Sequence, residues 1–96
     1  MISPSLIHPP RPTALPVSRE VIPQALKELP QWVVWRYEWL EKREQWTKPP
    51  FQVTGIGASS TDPHTWTSFA LAWQAYERGE FDGIGIMLRE THGQTL

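Results

Sequence analysis

The sequence predicts an α+β domain in which a small, mainly antiparallel sheet is covered by two helices. Three observations predict it. The run Trp32-Val33-Val34-Trp35-Arg36-Tyr37-Glu38-Trp39 is dense in β-branched and aromatic residues, the composition of a strand. Trp66, Phe69, Trp73 and Tyr76 recur at spacings of three and four, the period of one helix face. Gly83-Ile84-Gly85-Ile86-Met87-Leu88 then forms a short apolar run with two glycines, a buried strand that another backbone can approach closely.

Taken in order, residues 1–17 carry proline at every few positions, which removes backbone donors and biases the chain toward extended conformations. They read as a disordered, flexible arm ahead of a module over residues 18–96. Pro9-Pro10-Arg11-Pro12 also has the composition of a ligand for an aromatic groove, although a plain leader is the favoured reading. From Ser18, the residues Val21, Ile22, Ala25, Leu26 and Leu29 follow helical spacing, with Pro23 suited to a first turn and Pro30 closing the segment. The strand 32–39 comes next. Glu41-Lys42-Arg43-Glu44 makes a polar hairpin tip, and Trp46-Thr47-Lys48 returns until Pro49-Pro50 stops it before Phe51. Thr54-Gly55-Ile56-Gly57-Ala58-Ser59-Ser60 is a surface turn, and Thr61-Asp62-Pro63 signals a helix start. Gly79 is placed to stop that helix. The sheet is therefore expected to hold the hairpin and the strand over residues 83–88. Arg89 to Gly93 reads as a turn, and Gln94-Thr95-Leu96 as the opening of a further strand.

Composition narrows the function classes. A 96-residue chain is one domain at most, with a small core. A net charge of −1 gives no global attraction to a phosphate backbone, so any nucleic-acid contact must come from a local cluster. The absence of cysteine excludes disulfides and thiolate metal sites and fits a reducing, cytoplasmic setting. No stretch of about eighteen apolar residues occurs, so no membrane partner is expected.

Several segments occur in a telling order: residues 22–35, then Trp46-Thr47-Lys48-Pro49-Pro50-Phe51, then residues 58–66, then Phe69-Ala70-Leu71-Ala72-Trp73, and finally Tyr76-Glu77-Arg78-Gly79 running into Asp82-Gly83-Ile84-Gly85-Ile86. Together they resemble the start of a phage- and plasmid-type bifunctional DNA primase-polymerase domain of the archaeo-eukaryotic primase superfamily. The resemblance covers residues 20 to 96. It implies an N-terminal module that frames a template or nucleotide site in replication of a mobile element. In the complete family domain, Mg or Mn is held by acids on a strand just beyond the Gly-Ile-Gly strand. The chain is expected to stop before those acids and the later histidine, as an incomplete domain. No catalytic residue is carried over, and neither primer synthesis nor a bound cofactor is expected from these residues alone.

The candidate binding residues are Arg36, Lys48, Ser59, Ser60 and Thr61. Arg36 and Lys48 stand among Trp35, Tyr37, Trp39 and Trp46, where bases could stack on rings while cations hold phosphates. Glu38, Glu41 and Glu44 nearly cancel that charge, which equally describes a solvated hairpin tip. Ser59, Ser60 and Thr61 precede the expected helix start, where free amides attract an anion; self-capping by the hydroxyls is the competing use. Asp62 and Asp82 are placed for capping and turn roles rather than for metal, and His8, His64 and His92 have no ligand spacing. Trp32, Trp35, Trp66 and Trp73 are expected in the core. The implied partners are single-stranded DNA or a nucleotide and other replication proteins. An unfinished last strand would also leave a sheet edge for a homodimer. The rival reading is a protein-interaction module, or a relic of a replication protein, that binds no nucleic acid.

Overall fold

The computed structural model describes residues 9–88. The segments from Met1 to His8 and from Arg89 to Leu96, with the turn and final strand expected there, lie outside the described residues. The architecture is α+β, built from two small antiparallel sheets and two helices. A 3₁₀ turn at Arg19–Val21 leads into α1 (Gln24–Lys27), a single turn that begins at Pro23. The expected first helix is thus split, because Pro23 has no amide with which to continue the preceding turn.

The expected strand over residues 32–39 is two strands, β1 (Trp32–Trp35) and β2 (Glu38–Leu40). The break has a visible cause. Asp82 donates its amide to the Trp35 carbonyl at 2.8 Å, ending the ladder there. Its carboxylate then takes the Tyr37 amide at 2.8 Å, which a sheet neighbour would otherwise have claimed. After the break, β2 pairs with β3 (Gln45–Thr47) around a 3₁₀ tip at Glu41–Arg43. Glu44 closes the tip in the left-handed region, with φ of 48°. The hairpin therefore forms its own two-stranded sheet rather than joining the strand at Gly83.

The larger sheet runs β4-β1-β5, with β4 at Pro50–Phe51 and β5 at Gly83–Ile86, two residues shorter than expected. Both outer strands are antiparallel to β1; Val34 faces Phe51 on one side and Ile84 on the other. Past its end, the Met87 amide still bonds the Gln31 carbonyl at 2.7 Å, and the Gln31 side-chain amide returns a bond to the Met87 carbonyl.

Between β4 and the second helix lies the largest departure from the sequence reading. The Asp62-Pro63 signal starts only a 3₁₀ turn, Pro63–Thr65, capped by Asp62 Oδ1 on the His64 amide at 3.0 Å. Thr67 then exchanges both backbone bonds with Trp32, at 2.8 and 2.9 Å, which holds residue 67 extended as a short sheet extension. Helix α2 (Phe69–Glu77) begins only after it, where Ser68 Oγ accepts the Leu71 amide at 3.3 Å. Gly79, at φ of 83°, ends the helix as its pattern predicts, donating its amide to the Tyr76 carbonyl at 3.0 Å.

Trp32 and Val34 on one face of β1 meet Phe69, Ala72, Trp73 and Ala75 of α2, with Phe51 and Phe81 closing the core. Trp32 and Phe69 pack edge to face at 5.0 Å. The Trp32 indole N–H donates to the Leu26 carbonyl at 3.0 Å, tying α1 to this core. Of the four tryptophans expected inside, Trp32 and Trp73 are buried; Trp35 and Trp66 are half-buried. Residues 9–17 form no helix or strand and run along the body. They are held where the Trp46 indole donates to the Pro9 carbonyl, Arg11 pairs with Asp82, and the Val17 amide donates to the Tyr76 hydroxyl. Among the described residues no helix is long and apolar enough to cross a membrane.

Candidate nucleic-acid interface

Side chains on β1 alternate between two faces, and this separates the two candidate cations. Arg36 follows Trp32 and Val34 toward the core side. Its guanidinium lies 4.3 Å from the Phe51 ring centroid and 5.7 Å from that of Phe81, and its Nε stands 3.7 Å from Glu38 Oε2. Arg36 thus roofs the edge of the core, with its charge already partnered.

Trp35 and Tyr37 occupy the other side. Their rings meet edge to face at 5.0 Å, and the Lys48 ammonium sits 5.1 Å from the Trp35 centroid and 5.7 Å from that of Tyr37. Pro49 and Pro50 stop β3 from continuing and send the chain back along β1, which brings Lys48 over these rings. The seat for the Trp35 ring is Gly83, its cross-strand partner. A Cβ at Gly83 would fall 2.6 Å from the ring atoms Cε2, Cζ2 and Nε1 of Trp35, so only glycine fits beneath the indole. Gly85, opposite Val33, extends the low surface without such a contact. The result is a half-buried aromatic platform with an exposed ammonium at its rim.

Ser59, Ser60 and Thr61 lie in the loop that returns along β4, where the Ala58 amide donates to the Pro50 carbonyl at 3.0 Å. Their polar groups are largely spent within the loop. The Ser59 amide donates to Thr65 Oγ1 at 3.0 Å, the Thr61 amide to Ser59 Oγ at 3.1 Å, and the two hydroxyls meet at 3.0 Å. The Ser59 carbonyl accepts the Trp66 indole N–H at 2.8 Å. Ser60 is exposed. The helix terminus expected behind these residues is instead the one-turn 3₁₀ segment, which carries too few aligned amides to act as a dipole.

Asp62 caps that turn and contacts His64 Nδ1 at 3.2 Å. Asp82 does more than its sequence context foretold: one oxygen, Oδ2, accepts both the Tyr37 amide at 2.8 Å and Arg11 Nη2 at 2.6 Å. It therefore positions the Tyr37 end of the platform and anchors the arm together. Nothing local could have revealed this, since Asp82 stands 45 residues from Tyr37 and 71 from Arg11. Among the described residues, no three of His, Asp and Glu gather as a group able to hold a metal ion.

No protein-family model matches this chain, and no curated protein matches it in sequence. Its functional reading therefore rests on the platform and on the order of its sequence motifs.

Proposed function

We propose that the chain is a non-catalytic binding module for single-stranded DNA or a nucleotide, acting in the replication of a mobile element. The order of motifs resembling the N-terminal part of a primase-polymerase domain supports the replication setting. The observation that carries the binding role is the Lys48 ammonium held over the Trp35 and Tyr37 rings. A base can stack on such a ring while the cation turns to its phosphate, and stacking contributes about 1–3 kcal/mol per base. With a net charge of −1 there is no long-range steering, so binding is weak and local.

The test is a titration of labelled single-stranded DNA at low and moderate salt. Each phosphate neutralised contributes a slope of about −0.7 in log affinity against log salt for a single strand. Lys48→Ala is expected to weaken binding and remove about one such contact. Arg36→Ala is expected to leave the slope unchanged, because that cation is already engaged on Phe51 and Glu38. Wild-type affinity and slope in Lys48→Ala would remove the nucleic-acid reading of the platform. Incubating the chain with primer, template and Mg or Mn is expected to give no synthesis; robust extension would overturn the non-catalytic role.

A further inference from the structure

The arm contacts have a chemistry of their own, joined to the platform through Asp82. Pro9, Pro10, Pro12 and Pro16 bias the backbone toward the extended polyproline conformation, which forms no ladder of its own. Three groups of the body meet this segment in sequence order. The Trp46 indole N–H donates to the Pro9 carbonyl at 2.9 Å, the Asp82 carboxylate accepts Arg11 at 2.6 Å, and the Tyr76 hydroxyl accepts the Val17 amide at 3.0 Å. A cleft of about 530 Å³ lies between residues 11–14 and the Tyr76, Phe81 and Asp82 wall. Aromatic rings, an indole donor to a prolyl carbonyl and a carboxylate for a nearby arginine are what recognition of a proline-rich ligand needs. The arm residues Pro9 to Thr13 stay exposed, so they are held at anchors rather than buried as part of the core.

We infer that Trp46, Tyr76, Phe81 and Asp82 form a groove for an extended proline-rich segment bearing an arginine two residues after the bonded prolyl carbonyl, and that the chain's own arm occupies it as an intramolecular ligand. The same groove accepts such a segment from another polypeptide when the arm leaves. A short tether supplies an effective concentration of about 1 mM. A groove whose own affinity is about 0.1 mM is then closed in roughly nine of ten molecules, and opening it raises apparent affinity about tenfold.

The experiment uses the full chain and a fluorescein-labelled peptide with the sequence of residues 9–18, followed by polarisation. Arg11→Glu in the chain sets a carboxylate against Asp82 and displaces the arm. The Arg11→Glu chain is expected to bind the peptide about tenfold more tightly than the wild-type chain. A peptide carrying the same Arg→Glu change is expected to lose that binding. Adding Trp46→Phe, which keeps a ring beside Trp39 but removes the indole donor, is expected to weaken it again. Thermal melts check that each variant stays folded. A direct readout accompanies these: the Trp46 indole N–H resonance is expected to shift in Arg11→Glu. Equal peptide affinity in both chains, indifference to the peptide's arginine, or an unmoved Trp46 resonance would each overturn the groove. The outcome is separable from that of the DNA titration, since Lys48 takes no part in it.

Discussion

Replacing Gly83 by alanine tests the seat of the platform directly. A Cβ there falls 2.6 Å from three atoms of the Trp35 indole, closer than real side-chain carbons come. The ring must swing out and give up its edge-to-face contact with Tyr37. Overpacking of this kind costs about 1–3 kcal/mol, partly offset by the ~0.5–1 kcal/mol that alanine gains over glycine in a strand. The difference, centred on about 1 kcal/mol and reaching about 2.5 kcal/mol at most, lowers the melting temperature of a domain this size by roughly 5–10 °C at its centre. Gly85→Ala is the matched control, because its new Cβ would meet only Val33 Cγ2 at 3.8 Å and Trp35 Cδ1 at 4.0 Å, ordinary contacts. There only the backbone gain remains, and the melting temperature is expected to rise by a few degrees. The assay is thermal unfolding followed by far-ultraviolet circular dichroism, with the near-ultraviolet spectrum reporting the indole environment. If Gly83→Ala melts within about 2 °C of wild type with an unchanged near-ultraviolet spectrum, the Trp35 ring does not lie over Gly83.

Two further substitutions probe the scaffold. Val34, fully buried between the sheet partners and α2, loses two carbons in Val34→Ala; urea unfolding is expected to show a loss of about 2–3 kcal/mol with an unchanged denaturant slope. Ser68→Ala removes the oxygen that receives the Leu71 amide and is expected to cost about 1 kcal/mol, whereas Ser68→Asp retains stability; equal melting of Ser68→Ala and wild type would show that α2 does not start there.

Much of the fold was legible because its signals are local. The ring spacing from Phe69 to Tyr76, though not its expected start at Trp66, which ends the preceding 3₁₀ turn, the left-handed stop at Gly79, the polar tip between β2 and β3 and the apolar Gly83 strand each follow from side-chain periodicity or from one residue's allowed torsions. The misreadings share a different origin. A β-rich run such as 32–39 carries no mark of where its partner strand stops, and the partner that stops it, Asp82, is remote in sequence. Likewise Asp62-Pro63 is a sound cap for any helix, and only the bridge between Thr67 and Trp32 delays α2 by holding the chain extended.

The candidate site divides along the same line. Residue types alone placed cations among aromatic rings in the segment from Trp35 to Lys48, because composition needs no partner to be read. Which cation serves which ring was decided by tertiary structure. Strand alternation sent Arg36 over Phe51 and Trp35 to the opposite side, and the return of the chain at Pro49-Pro50 laid Lys48 across Trp35 and Tyr37. The amino-acid sequence by itself determined the kinds of local structure and the chemistry available, since torsional preference and periodicity act over a few residues. Only the folded chain decided the neighbours, since pairings such as Gly83 under Trp35 and Arg11 on Asp82 arise when distant segments share one surface.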